Sequence, residues 1–469
     1  MAPGLDRSGA CEHRPIASHC LREEGGAARP GQAMTMSEEN GIYDCIVVGS
    51  GTAGATIARE LSGRGQKVLI LERGPYLPLK ETLWTLGSML KEVRVADKLM
   101  EAVVYAAGGS SALYLAIMDE PPIGAYRALG IDLQPAYEAM RVQVPLAEMP
   151  DALMSPQTHR LREAAIAAGY DWKKKLMLID QSKCSGVYAY DAKWKALTFV
   201  DEAVRQGAVL KCETLVDRVL IENGRAVGVE CRIKQGAFGR RAVRYRAERV
   251  IVCAGALATP LLLRASGLQH VAAGGFFMDP IFTLFGRIPG LRGVDSFTGT
   301  MEARLEEGLV LRDSNFHKLP FRMFMLRYMQ LSRMFKYEEH IGVTVMTHDN
   351  VGGELSADGR YNKTLDAAVF DKLARGEQAA RAILERAGAS DIFKTPLFTG
   401  GVHGTLRIGS DVDARLETSV RDLYVCDGSL IPENGRVAPT LTLLCLAKYL
   451  ADHLTRTRKA PAEAEGVPA

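Results

Sequence analysis

The residues best placed to do chemistry are glycines. Val47-Val48-Gly49-Ser50-Gly51-Thr52-Ala53-Gly54 runs from a short apolar strand (46–48) through a glycine turn into a helix over 53–61. Gly49 permits the tight turn, Gly51 lets the backbone approach a pyrophosphate, and Gly54 lets the helix lie close on the sheet. The N–H groups at the start of that helix, Thr52 and Ala53 included, aim at the phosphates. Leu69-Ile70-Leu71-Glu72-Arg73-Gly74 then forms a second strand ending in an acid. That acid stands about 20 residues beyond the glycines, where a carboxylate accepts from ribose hydroxyls. Strand, turn, helix and acid in register predict a dinucleotide site. The glycines alone would also suit a turn in an unrelated α/β protein.

These residues need a frame, and composition bounds it. The chain has 469 residues, 47% of them hydrophobic, enough for two domains or one large composite domain. The net charge of +3, with both signs mixed, gives no electrostatic case for nucleic acid. No apolar run reaches the roughly 18 residues that a membrane span needs. Nine cysteines are an odd number with no metal-type CxxC pair. Cys45, Cys253, Cys426 and Cys445 fall inside apolar strand or helix patterns, where cysteine acts as a small hydrophobe. A reduced, cytoplasmic protein is expected. Residues 1–38 lack periodicity and any apolar secretory core, and read as a disordered extension or an over-long start ahead of Met34 and Met36.

Along the chain, 81–100 reads as helical. Gly108-Gly109-Ser110-Ser111-Ala112-Leu113 follows as a small-residue turn, suited to close approach of a flat ring or a phosphate and equally to an ordinary surface turn. Residues 131–170 read as helices. Strands are expected at 209–212, 216–222 and 226–233, the last two joined by Asn223-Gly224, a strong hairpin signal. Residues 249–253 form a buried strand entering the turn Ala254-Gly255-Ala256, with Thr259 as a cap and Pro260 opening a helix. Residues 280–395 are strand-rich at first, with a helix over 365–388. Residues 321–336 mix Phe, Met and Tyr with Arg322, Arg327, Arg333 and Lys336. Such a segment could line a lipophilic entrance or make peripheral contact with a membrane, or could pack as a core helix. A strand over 423–426 leads to Asp427-Gly428, Pro439 starts a last helix through 454, and 455–469 reads as a frayed tail.

Four separated blocks now point the same way. They are the first glycine fingerprint; Gly108-Gly109-Ser110-Ser111; Cys253-Ala254-Gly255-Ala256-Leu257-Ala258-Thr259-Pro260; and a C-terminal block. The last comprises His403-Gly404-Thr405-Leu406-Arg407-Ile408-Gly409, Leu423 to Ser429, and Pro439-Thr440-Leu441-Thr442. In this order they resemble the glucose–methanol–choline (GMC) oxidoreductases over most of 42–455, most weakly in 280–395. The resemblance implies an α/β fold: a Rossmann-like FAD-binding domain with a smaller α+β substrate domain on an antiparallel sheet. The FAD-binding parts would be 39–155, 156–279 and 396–456, the substrate domain 280–395, and the tail 457–469. FAD would be held by Gly49, Gly51, Thr52, Ala53, Gly54, Glu72 and Arg73 at its ADP half. Gly108, Gly109, Ser110 and Ser111 would pass the ring and phosphates, and Val216 would make a backbone contact on the adenine side. Ala254, Gly255, Asp427, Gly428, Pro439 and Thr440 would come in from the later blocks. Some members carry a covalently linking His before the Gly-Gly turn; Ala106-Ala107 stand here, so non-covalent FAD is expected.

The family oxidises an alcohol carbon by hydride transfer to the flavin, while the protein removes the hydroxyl proton. His403 holds the family's active-site His position, and a neutral imidazole suits a base near physiological pH. The family's second His or Asn, just before the last helix, is replaced by Ala438, which has no donor or acceptor. Loss of such a contact costs about a few kcal/mol of transition-state stabilisation unless another group serves. Asn434, Arg436 and Tyr114 are candidates. No metal is called for. The expected activity is a dehydrogenase, rather than an oxidase, for a lipophilic or sterol-like small-molecule alcohol, with a separate, unidentified electron acceptor. Two alternatives stay open: altered chemistry such as fatty-acid photodecarboxylation, and a non-catalytic redox or assembly partner.

Overall fold

Runs of three or four apolar residues make the central strands. In the computed structural model, which describes residues 37–459 except 78–79, 98, 185, 236–238 and 436–437, Cys45–Val48 (β1) and Val68–Leu71 (β2) are buried at every residue. A parallel strand covered on both faces requires this. With Val209–Lys211 (β3), Val250–Val252 (β4) and Leu423–Val425 (β5) they form an all-parallel sheet in the order β3-β2-β1-β4-β5. The helix Thr52–Ser62 (α1) packs on β1 and β2 between the helices Leu197–Arg205 (α2) and Thr440–Lys459. Four of the motif segments follow these strands directly: Gly49–Gly51 after β1, Glu72 after β2, Ala254-Gly255 after β4 and Asp427-Gly428 after β5. Segments hundreds of residues apart thus meet at the carboxyl end of one sheet, where open α/β sheets bind ligands.

A second sheet orders Ser37–Tyr43, Gly239–Ala247, Arg225–Gln235 and Thr214–Glu222. Asn223 and Gly224 both take positive φ (50° and 72°) in its hairpin, as the Asn-Gly pair predicts. The third sheet is antiparallel. Phe277–Arg287 lies at its centre, paired with His340–Thr347 on one side and with Ser390–Lys394 and Phe398–His403 on the other. Leu309–Asp313, Met301–Glu306 and Lys173–Lys174 extend it. The helix Ala367–Arg386 covers it with Val369, Leu373, Ala380 and Ile383. Its Gly376 lies where a Cβ would come within 2.4 Å of Val345 Cγ1, so the helix sits close on the strand. The sheet runs from 277 to 403 and borrows 173–174, so it overruns the expected limits of 280 and 395.

Several expectations are corrected. Residues 81–100 are not one helix: Leu83–Met89 is helical, and Leu90–Ala96 with Leu99–Val104 forms a hairpin. Its β-branched Val93, Val95, Val103 and Val104 suit the pleat better than a helix. Within 131–170 a strand, Leu146–Glu148, separates the helices Gln134–Arg141 and Pro156–Ala167. The last helix reaches Lys459, so 455–459 is helical rather than tail. The segment 321–336 divides. In the helix Lys318–Arg327, Phe321 and Met325 are buried with Phe285 and Tyr337, while Leu326, Met329, Leu331 and Phe335 are exposed. Cys45, Cys253, Cys426 and Cys445 are free and buried, and burial pushes the thiols of Cys45 and Cys445 up to about 12. Residues 1–36 and 460–469 lie outside the described residues. Among the described residues no helix is long and apolar enough to cross a membrane.

Candidate cofactor and active site

The turn after β1 is built by contact. Gly49 has φ of 100°, and a Cβ there would lie 2.3 Å from the Cys253 carbonyl oxygen. A Cβ on Gly54 would lie 2.0 Å from the Gly49 carbonyl oxygen. Both positions accept only glycine. Gly51 is different: a Cβ there would meet nothing within 4 Å, and the same holds for Gly255. Gly51 is the N-cap of α1, and the first turn of that helix carries no acid. The positive end of the helix, with Thr52 and Ala53, therefore faces open space that no side chain of its own neutralises. This open cradle fits the diphosphate of a dinucleotide.

The Gly-Gly turn closes on it from the other side. Gly108 and Gly109 take φ of 89° and 57°, and a Cβ on Gly109 would lie 2.9 Å from the Gly51 Cα. Ser50, which the spacing argument passed over, ties the pieces together. Its hydroxyl donates to Glu72 Oε2 (2.5 Å) and accepts the Gly108 N–H (3.2 Å), while its own N–H also donates to Glu72 (3.1 Å). Glu72 takes a third bond from the Gly74 N–H (2.7 Å). Burial pushes its carboxyl up, and the Ser50 and Gly74 donors and the Arg73 charge pull it back. A carboxylate has about four acceptor positions, so one remains for a ribose hydroxyl. Arg73 lays its guanidinium 4.1 Å over the Tyr105 ring. Val216 lies in the strand whose Thr214 N–H donates to the Glu72 carbonyl (2.8 Å). Ser110 is exposed, but Ser111 faces the protein: its hydroxyl donates to the Gly108 carbonyl (2.6 Å) and accepts from Ala196 N–H (2.9 Å).

The later blocks converge through Asp427. Its Oδ2 accepts the Gly255 N–H (2.9 Å) and the Thr259 hydroxyl, and its Oδ1 accepts the N–H (2.9 Å) and hydroxyl (2.6 Å) of Ser429. The Asp427 side chain is thus committed to fixing the turns after β4 and β5, which leaves their backbone to meet a cofactor. Thr259 is not a helix cap as expected. It lies inside the helix Ala258–Ala265, whose N-cap is Leu257, because its hydroxyl is drawn to Asp427.

His403 ends the strand Phe398–His403, opposite Phe277. Its half-buried ring lies 6.1 Å from the Phe277 ring. Gly428 makes room for it: a Cβ there would stand 3.3 Å from His403 Nδ1, and one on Gly401 would stand 2.8 Å from Nε2. Gly404 N–H donates to the Gly428 carbonyl (3.1 Å) and the Thr405 hydroxyl to the Ala256 carbonyl (2.7 Å). His403 therefore stands where the turns that follow β4 and β5 meet.

Ala438 is held by charge. Its N–H donates to Asp119 Oδ2 (2.9 Å). Asp119 contacts Lys175 and Arg304, and Lys175 and Arg312 reach Glu302 (3.1 and 3.0 Å). Burial acts to raise the Asp119 carboxyl, but Lys175 and the Ala438 N–H hold it below its ordinary range. The Tyr114 hydroxyl donates to the Trp194 carbonyl (2.5 Å), so Tyr114 does not serve as the missing partner. Asn434 is exposed, and Arg436 lies outside the described residues. Pro439 precedes the last helix, and its carbonyl accepts from Leu443 N–H (2.9 Å), with Thr440 the first helical residue. Among the described residues no group of three or more His, Cys, Asp or Glu is placed to hold a metal ion.

Comparison with known proteins agrees with this geometry. Residues 124–280 match the family described as GMC oxidoreductase, and residues 44–122 match one described as FAD binding domain. An uncharacterised GMC-type oxidoreductase of Sinorhizobium fredii is 27% identical over 284 residues, 52% of this chain and 55% of that protein. A long-chain-alcohol oxidase of Arabidopsis thaliana is 22% identical over 513 residues, 88% of this chain and 68% of that protein. This chain thus spans about half the length of the first relative and about two thirds of the second. The crystal structure of pyridoxine 4-oxidase from Mesorbium loti superposes with a TM-score of 0.64 at 16% identity, covering 88% of this chain and 99% of that one, and shares the fold. The chain is thus similar to the GMC oxidoreductases in its family match, its relatives and its fold, and FAD is its cofactor.

Proposed function

We propose that this protein oxidises the CH–OH group of a small-molecule alcohol, with His403 taking the hydroxyl proton. One observation carries the reading: the His403 ring stands in the space left by Gly401 and Gly428, at the junction of the turns that follow β4 and β5. Bound FAD supplies the acceptor for the hydride of the alcohol carbon. The chain's part is to hold and orient. The α1 N-terminus and the Gly108-Gly109 turn would hold the diphosphate, Glu72 a ribose, and the Ala254-Gly255 and Asp427-Gly428 backbone the rest of the cofactor. Non-covalent attachment is supported by Ala106 and Ala107, both buried and unreactive, ahead of the Gly-Gly turn.

A lipophilic alcohol is favoured over a sugar. One relative is named a long-chain-alcohol oxidase, and Met329 and Phe335 are 74% and 71% exposed on the antiparallel-sheet side. The same side chains would make a peripheral membrane contact. Basic charge adds less, because Arg327 pairs with Glu92 and Arg333 with Asp391. A dehydrogenase with a separate electron acceptor remains the proposed type, against relatives named oxidases.

The test is anaerobic. The purified flavoprotein is mixed with primary, secondary, aromatic and sterol alcohols, and the oxidised-flavin band is followed. Bleaching by one class supports the reading and names the substrate class. Slow recovery on readmitting air supports a dehydrogenase, and rapid recovery an oxidase. A flavin that no alcohol bleaches would sink the proposal.

A further inference from the structure

Met118 pairs with Leu176 where Ile117–Met118 and Leu176–Leu178 run antiparallel. That register sets Asp119, the next residue on one strand, beside Lys175, the residue before the other, and their side chains form a buried ion pair. Lys175 also reaches Glu302 (3.1 Å), which it shares with Arg304 (3.1 Å) and Arg312 (3.0 Å). The two acids are spent differently. Glu302 keeps both oxygens inside the cluster, Oε1 on Lys175 and Arg304 and Oε2 on Arg312. Asp119 gives Oδ1 to Lys175 and Arg304 (3.0 Å) and sends Oδ2 out of the cluster, to the Ala438 N–H (2.9 Å). Ala438 has no polar side chain and Pro439 has no N–H, so this is the single donor that the two residues possess. Asp119 takes it just before the last helix opens at Thr440.

The same segment braces the rest of that loop. The buried Tyr126 hydroxyl donates to the Leu430 carbonyl (3.4 Å). A Cβ on Gly435 would stand 3.0 Å from Pro122 Cγ. Leu430, Gly435 and Ala438 are therefore held by residues 119–126, and the loop they belong to begins at Gly428, against the His403 ring. A buried ion cluster by itself argues only for a tie between elements. This one runs from Met301–Glu306 and Leu309–Asp313 of the antiparallel sheet to the backbone that opens the last helix.

We propose that Asp119 is a positioning residue for alcohol oxidation: it fixes the Ala438 backbone, and with it the start of the last helix, against the antiparallel sheet. This rests on the reading of the site as one that oxidises alcohols with His403 as the base. Position 438, where the GMC family places a second polar side chain, then acts here through its backbone alone. A support outside the chemistry affects rate because small displacements of reacting groups are costly.

The experiment uses the FAD-loaded protein and three variants. Asp119→Leu removes the tether. Asp119→Asn keeps the shape, but Lys175 and Arg304 claim its single oxygen, which turns its amide nitrogen towards the Ala438 N–H. Lys175→Met opens the cluster and leaves Asp119 on Ala438, with Arg304 as its partner. The first readout needs no substrate: the visible circular dichroism of the bound flavin should change in both Asp119 variants and match the wild type in Lys175→Met. The second is anaerobic flavin reduction by the best alcohol of the panel. Its limiting rate should fall about 10- to 10²-fold in the Asp119 variants, with half-saturation changing little, and should hold in Lys175→Met. The urea midpoint should fall in all three. A tie with a purely structural role would lower that midpoint and leave the other two readouts alone, and either of them unchanged in Asp119→Asn overturns the proposal. So does a loss of rate in Lys175→Met equal to that in the Asp119 variants. If Asp119→Leu does not fold, Asp119→Asn decides by the same criteria. Normal reduction in His403→Ala, or a wild-type flavin that no alcohol bleaches, would instead overturn the reading of the site, while the flavin dichroism would still report on Asp119.

Discussion

Two acids whose carboxyls are shielded from water show how two regions of the molecule differ. At the carboxyl end of the parallel sheet, Glu72 receives three hydrogen bonds, two from Ser50 and one from Gly74. In the hairpin strand Leu99–Val104, beside Phe398–His403, Glu101 has only the Val402 N–H to pull its carboxyl down. Burial raises both. Several donors and Arg73 counter it at Glu72, whereas Glu101 reaches about 8. The number of donors decides what a buried carboxyl can do. A well-supplied one is an acceptor, suited to ribose hydroxyls. A poorly supplied one keeps its proton and becomes a donor. The acid beside the cofactor turns is supplied with donors, and the acid in the hairpin beside His403 is not.

The largest expected effect lies in the second half. His403→Ala should slow anaerobic flavin reduction by about 10²–10⁴-fold while leaving FAD bound, as read by stopped-flow absorbance and by the flavin-to-protein ratio. In the cofactor half, Glu72→Leu should strand the Ser50 and Gly74 donors and cost about 1–3 kcal/mol. It should also lower FAD retention on gel filtration, with little change in reduction rate for the fraction that keeps flavin.

A pH series sharpens the contrast between the two acids. The folded-state value of Glu101 lies above its unfolded one, so the folded protein binds the proton more tightly. Its contribution to stability is full below the ordinary carboxylate range and is lost as pH rises towards 8. The slope approaches about 1.4 kcal/mol per pH unit in that window. Glu101→Gln should flatten it, so that its urea midpoint exceeds that of the wild type at alkaline pH. The smallest effect belongs to the exposed edge of the antiparallel half. Met329→Ser with Phe335→Ser should change stability by no more than about 0.5 kcal/mol and leave flavin reduction of a soluble alcohol intact. It should reduce cosedimentation with anionic phospholipid vesicles.

The cofactor half was legible in the sequence because glycine spacing encodes backbone contact. Gly49, Gly54 and Gly109 sit where a Cβ would collide, and each belongs to a short glycine motif visible in the sequence. Ser50 was missed because it lies between two glycines and its role is three-dimensional: it bridges Glu72 to Gly108, which is 58 positions away. Asp427 stands out in the sequence as a candidate, but its commitment to Thr259 and Ser429 follows only once β4 and β5 are neighbours. Glu101 was hidden altogether. The helix expected over 81–100 stops just short of Glu101, and no motif in the sequence singles Glu101 out. Its burial exists only because Leu90–Val104 turns back as a hairpin against Phe398–His403. The charge cluster under Ala438 was invisible for the same reason, since Asp119, Lys175, Glu302 and Arg312 come from four separate segments.

The most direct test is the rate of anaerobic flavin bleaching in the wild type and in His403→Ala, each with an ordinary alcohol and with the same alcohol deuterated at the carbinol carbon. The account predicts bleaching in the wild type, slowed by deuterium because the C–H bond breaks in that step, and a large loss of rate in His403→Ala with FAD still bound. Bleaching at the same rate in both proteins would contradict His403 as the base. A wild-type flavin that no alcohol bleaches would contradict alcohol oxidation itself.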